Sequence, residues 1–177
     1  MQAARGTALT RPRVLLVLVA LLTVALDAAT KALVVAQLEN DHGRQIRLPG
    51  GIATIVVSRN PGAAFSFATG MTYVFTAVAV AVAVYIVRIM PRLRSTGWAL
   101  TLGLLLGGAV GNLIDRLTRH TLQHTYSFGK GAVVDFISVP HFASFNVADS
   151  GITVGAILAI LLSFRGIEVD GSRKQAE

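Results

Sequence analysis

The chain has 177 residues, 53% of them hydrophobic and 14% charged, a formal net charge of +7 and no cysteine. A soluble domain carries roughly a quarter charged residues, so this composition, with a mean hydropathy of +0.63, defines one compact integral membrane unit. Disulfides, thiolate metal sites, a cysteine nucleophile and acylation of the chain's own cysteine are excluded.

Four segments reach the length of about 20 apolar residues that a bilayer core requires: 14–37, 71–90, 97–117 and 146–164. The expected fold class is an all-α membrane protein of four transmembrane helices with a small β-rich extracytoplasmic subdomain. The first span follows Arg11 and Arg13 and continues past ALDAAT as KALVVAQ. That run exceeds the ~7–15 residues of a signal-peptide core, so it is read as a retained span. The first long connection contains RQIRL, PGG and IATIVVS, which predict two short strands around a Pro-Gly turn. The second, residues 118–145, has Gly129 and Gly131 and little periodicity, and predicts an irregular loop. Residues 166–177 are expected to form a disordered tail.

Arginine density sets the orientation. Arg5, Arg11 and Arg13 precede span one; Arg88, Arg92 and Arg94 cluster at the short link; Arg165, Arg173 and Lys174 follow span four. Short basic segments read as cytoplasmic, so both termini are expected inside and both long loops outside. The positive charge is thereby assigned to topology, and no nucleic-acid partner is expected. Gly103, Gly107 and Gly111 fall four apart on span three, as do Gly151 and Gly155 on span four, a spacing that lets helix backbones approach.

The polar residues in the spans carry the chemical signal. Counted from the cytoplasmic ends at about 1.5 Å per residue, Asp27, Asn112 and Asp149 all lie about 20 Å deep. Lys31 is one turn beyond Asp27, and Asp115 and Arg116 are one turn beyond Asn112. A ring of polar groups at one depth predicts a shared cavity near the outer surface. Plainer readings exist for several of them. Asp27 with Lys31 reads as an internal ion pair, Asp115 beside Arg116 as interfacial snorkelling, and Asp149 or Asn146 as a cap on span four. Asp135, in the apolar run AVVDFISV, has no capping role. Two carboxylates close in sequence suggest a pair that shares one proton and activates water. His120 and His124 have helical spacing, but the glutamate of a zinc-protease motif is replaced by threonine. No metal site is expected there.

These motifs together resemble lipoprotein signal peptidase (signal peptidase II), a family of bacterial membrane aspartyl proteases. The matching strings are DAATK (27–31), NPGAAFS (60–66), GNLIDR (111–116), VVDF (133–136) and FNVAD (145–149). The resemblance implies removal of the signal peptide from prolipoproteins on the amino side of a diacylglyceryl-modified cysteine. It implies no metal or organic cofactor, and Asp135 and Asp149 as the catalytic aspartates. Asn60, Asn112, Arg116 and Asn146 match positions near the substrate and the aspartates; Asp27 and Lys31 match positions of structural support, a role also expected of Asp115. It further implies a β-rich cradle in the first outer loop, a lid in the second, a site in the bacterial cell membrane, and membrane lipid and prolipoprotein as partners. A monomer is expected. The rivals are a proton-coupled transporter, which needs a polar path across the membrane rather than one level, and a structural subunit, which the glycine spacing alone suggests.

Overall fold

The computed structural model describes residues 10–39, 44–62, 72–120, 125–126 and 128–173. Four helices form the bundle: α1 (Arg11–Val34), α2 (Thr72–Ile89), α3 (Thr96–Thr118) and α4 (Val147–Phe164). Each is long and apolar enough to cross a membrane; α1 continues through a π-helical turn to Glu39. Pro12 lies in the first turn of α1, where its missing N–H costs no hydrogen bond. Ser95 caps α3 by accepting from the Trp98 N–H at 3.3 Å. Leu18, Leu21, Leu22, Leu26 and Leu33 of α1 are exposed, while Asp27 and Lys31 on the same helix are buried. The helix therefore turns its leucines outward and its charges inward, the reverse of a soluble helix.

The central helix is α3. Its glycines let α1 and α4 approach. A Cβ at Gly107 would lie 2.6 Å from Thr23 Cβ and 2.7 Å from the Ala20 carbonyl oxygen. One at Gly103 would lie 2.9 Å from the Leu16 carbonyl, and one at Gly111 would lie 2.8 Å from Asp27 Oδ2. On α4, a Cβ at Gly155 would meet Leu105 at 2.8 Å. The fourfold spacing is thus a packing device on both helices. At the opposite end from the sheet, Leu16, Ile86, Leu93, Ala99 and Leu102 form the apolar core.

A three-stranded antiparallel sheet, β1 (Ile46–Arg47), β2 (Thr54–Asn60) and β3 (Val133–Ser138), joins the two long connections. The turn Pro49–Gly51 between β1 and β2 has positive φ at Gly50 and Gly51, as the PGG string requires. The 118–145 connection departs from the expected irregular loop. Its VVDFIS run pairs with β2, and Val133, Val134 and Phe136 are buried there. The β-branched apolar run finds a partner strand from far away in sequence, which local periodicity does not report. A one-residue shift in register between Ile55 and Ser58 places Ser58, rather than Val57, opposite Asp135. It thereby puts Asn60 on the same face as Asp135.

Residues 166–173 also differ from the expected disordered tail. Gly166 and Gly171 adopt positive φ, and Ile167 bridges Arg173. The Val169 carbonyl accepts from the Arg94 and Ser95 N–H groups at 3.1 Å, and the Ile167 carbonyl from Trp98 Nε1 at 2.7 Å. Free N–H groups at the start of α3 give this segment something to bind. Residues 174–177 of the expected tail lie outside the described residues.

The packing yields a stability prediction. Gly107→Ala forces α1 and α3 apart, because the facing atoms include backbone, and should cost about 1–3 kcal/mol. Gly97→Ala meets the flexible end of Leu162 at 3.1 Å and should cost less. Unfolding of both variants in detergent, followed by circular dichroism, checks the order.

Candidate active site

Asp135 sits on β3 and Asp149 in the first turn of α4, and Asn146 joins them. The Asn146 side chain is fully buried. Its Nδ2 donates to Asp135 Oδ1 at 2.8 Å and its backbone N–H to Asp149 Oδ2 at 3.1 Å. Its Oδ1 accepts from the Asp149 N–H at 2.9 Å, so Asn146 and Asp149 form a reciprocal capping box. The capping reading of Asp149 is therefore realised, yet one oxygen remains for other use. Asp149 Oδ1 accepts from Asn112 Nδ2 at 2.7 Å. Asp135 Oδ2 accepts from Asn60 Nδ2 at 2.8 Å, and Asn60 is itself held by the Gly62 N–H on its Oδ1. Each carboxylate thus rests on neutral amides, which hold it without fixing its charge.

Asp27, Lys31 and Asp115 lie behind this pair. Lys31 is 1% exposed. Its Nζ lies 2.7 Å from Asp27 Oδ2, 2.8 Å from Asp115 Oδ2 and 3.2 Å from Asn112 Oδ1. Asp27 Oδ1 accepts from the Ala148 N–H at 2.9 Å, at the start of α4. Asp115 Oδ2 accepts from the Val134 N–H at 3.2 Å, on β3, and Oδ1 from Arg119. Asp115 is 3% exposed, so it is a buried ion-pair partner and not a snorkelling interface residue. The equal depths estimated for Asp27, Asn112 and Asp149 correspond to a connected set of contacts.

Arg116 is buried, with its guanidinium carbon 5.7 Å from the centre of the Phe75 ring and Nη1 without a hydrogen-bond partner. It stands near Asp149 on the wall of a cavity of about 320 Å³ between α2, α3 and α4. A larger cavity, about 540 Å³, is lined by Asn60, Asp135, Asp149, Phe142, Phe145 and Ser150. Asp149 borders both. Phe145 opens the FNVAD string, whereas Phe142 did not emerge from sequence reading. Its signal is the VPHF turn, in which Pro140 is followed by His141 at φ 62° and the Phe142 N–H returns to the Val139 carbonyl. His120 contributes its backbone carbonyl to Ala132, and His124 lies outside the described residues. Among the described residues no group of three His, Cys, Asp or Glu side chains is placed to hold a metal ion.

Burial pushes the Asp135 carboxyl up from 3.8 to about 6; the Asn60 and Asn146 hydrogen bonds oppose the shift and the charge of Asp149 adds to it. A carboxyl that titrates there holds or releases a proton near neutral pH.

Apolar helices around a buried polar cluster, with a carboxyl lifted toward neutrality, are the architecture of a membrane-embedded enzyme. Residues 19–165 match the family model of signal peptidase (SPase) II. The lipoprotein signal peptidase of Rhodococcus jostii is 51% identical over 93% of this chain and 80% of its own. That of Streptomyces coelicolor is 49% identical over 87% and 72%. A bacterial membrane enzyme solved by the in meso method at 1.9 Å superposes with a TM-score of 0.71 and 27% identity, covering 85% of this chain and 92% of that one. The chain belongs to the signal peptidase II family and is a multi-pass membrane peptidase that acts on prolipoproteins.

A prediction follows from the Asp135 environment. Carboxyl carbon NMR of the protein in lipid nanodiscs should show Asp135 titrating at about 6. Asp149→Asn removes a neighbouring negative charge and should lower that midpoint. An unchanged midpoint would mean that the two carboxyls do not interact.

Proposed function

We propose that this chain cleaves prolipoproteins on the amino side of a diacylglyceryl-modified cysteine, with Asp135 and Asp149 as the catalytic pair. The observation that carries the reading is the single buried asparagine, Asn146, hydrogen-bonded to both carboxylates at the edge of one cavity.

Two neighbouring carboxylates do not both ionise cheaply, so one member works as the acid while the other is ionised. The ionised member takes a proton from a bound water, and the resulting hydroxide attacks the scissile carbonyl. The protonated member donates to the carbonyl oxygen and later delivers a proton to the leaving amine. Both carboxyls have the same kind of neutral amide support. Asn60, Asn112 and Asn146 orient the carboxylates. Arg116, with a free buried N–H beside Asp149, serves the substrate side. Asp27, Lys31 and Asp115 support the elements that carry the pair. The largely apolar cavity walls suit a lipid-modified substrate whose signal helix enters sideways from the bilayer.

Prolipoprotein bearing diacylglyceryl-cysteine, given to purified enzyme in detergent, tests the assignment. Asp135→Asn and Asp149→Asn should each lower cleavage by about 100-fold or more, and chelation of metals should leave the wild type unaffected. Normal cleavage by either variant rejects the pair.

The monomeric enzyme is expected to sit with both termini in the cytoplasm and the sheet outside, a reading supported by the arginine-rich ends and link. A single cysteine introduced at Arg173 should react with an impermeant maleimide only from the cytoplasmic side; labelling from outside inverts the topology.

A further inference from the structure

Lys31 is the most deeply buried cation of the bundle and lines neither cavity that Asp149 borders. An ammonium group has three N–H donors and no acceptor. Here all three meet oxygen: one on Asp27, one on Asp115 and one on Asn112. Each of these partners then does something for the pair. Asp27 binds the Ala148 N–H, one residue before Asp149. Asp115 binds the Val134 N–H, one residue before Asp135. Asn112 donates directly to Asp149.

The Asn112 contact depends on charge as well as shape. The two ends of an amide are nearly the same size, so packing alone does not choose between them. Lys31 only donates, and Asn146 Nδ2 also donates to the same end of Asn112 at 3.2 Å. The end facing them must therefore be oxygen, and the end facing Asp149 must be the NH₂. With the amide turned over, a carbonyl oxygen would oppose the Asp149 carboxylate and an NH₂ would oppose the ammonium.

We propose that Lys31 is a positioning residue for peptide cleavage, acting through the Asn112 amide on Asp149 and through Asp27 and Asp115 on the backbone beside each aspartate. It goes beyond structural support because it assigns Lys31 an effect on turnover in protein that is still folded. It rests on the two-aspartate reading above.

The test removes the cation without stranding a carboxylate. Lys31→Met combined with Asp27→Asn deletes one positive and one negative charge. Asp115 keeps Arg119, and the amide that replaces the Asp27 carboxylate keeps an oxygen for the Ala148 N–H. The reference is Asp27→Asn alone, in which Lys31 still faces Asp115 and Asn112. A third variant, Lys31→Gln with Asp27→Asn, restores a neutral donor toward Asn112. Melting in detergent and steady-state cleavage of prolipoprotein are measured for all three. We expect K31M/D27N to fold, with kcat about 100-fold below D27N and KM within about threefold of it. K31Q/D27N should recover at least about tenfold of that loss. A folded K31M/D27N whose kcat matches D27N overturns the proposal. So does a loss of kcat that K31Q/D27N shares in full. If K31M/D27N does not fold, K31Q/D27N decides alone: a kcat about tenfold below D27N supports the proposal, and a kcat equal to that of D27N overturns it. Asp149→Asn is run alongside: its normal activity would sink the two-aspartate reading itself, whereas its inactivity beside an unaffected K31M/D27N would sink only the role of Lys31.

Discussion

An ammonium group buried among apolar helices is costly unless every N–H has a partner, and removing one partner of such a pair costs about 3–5 kcal/mol. Lys31 meets that demand with three oxygens taken from two helices, α1 and α3. The other oxygen of Asp27 reaches α4, and the Asp115 oxygen that meets Lys31 also accepts from β3. The charge therefore forces four elements into one arrangement. Two of them carry Asp149 and Asp135. Asn146 and Asn112 complete the arrangement with neutral amides, so the carboxylates are held without a counter-ion fixed directly on them.

The glycines make that arrangement reachable. The Lys31 cluster spans α1 and α3 over hydrogen-bond distances only because Gly103, Gly107 and Gly111 bring the backbones together. Gly111 is the tightest link between packing and chemistry, since a side chain there would strike the carboxylate of Asp27. α2 stands apart. Its residues Tyr73, Val74 and Val84 are exposed, and Phe75 and Val78 form one wall of the smaller cavity. A loosely packed helix beside Asp149 leaves the room that the proposed sideways entry of a signal helix needs.

The spans were legible because length and hydropathy report them directly. The first two strands were legible because PGG sits between RQIRL and the β-branched run IATIVVS. β3 was not, since its partner is more than 70 residues away and its apolar run suits several structures. The equal depths of Asp27, Asn112 and Asp149 followed from helix rise alone, and they do meet around α4. What depth does not give is angle. It left Asp115 as a snorkelling candidate when its side chain turns inward to Lys31. The link from Asp135 to Asp149 through Asn146 was equally hidden, because it joins a strand to a helix cap. The short return at 166–173 was missed for a related reason: its partners are backbone N–H groups at the start of α3, which no side-chain pattern advertises.

One buried charge, Lys31, holds both aspartate-bearing elements through Asp27 and Asp115. Amide hydrogen exchange at Val134 and Ala148 measures this most directly, because these N–H groups donate to the two carboxylates that Lys31 binds. In nanodiscs, both should be strongly protected in the wild type. In K31M/D27N both should exchange faster together than in D27N, while Leu102 and Ala109 in α3 keep their protection. Protection at Val134 and Ala148 that is unchanged by the loss of Lys31, or lost only along with the whole of α3, would contradict the account.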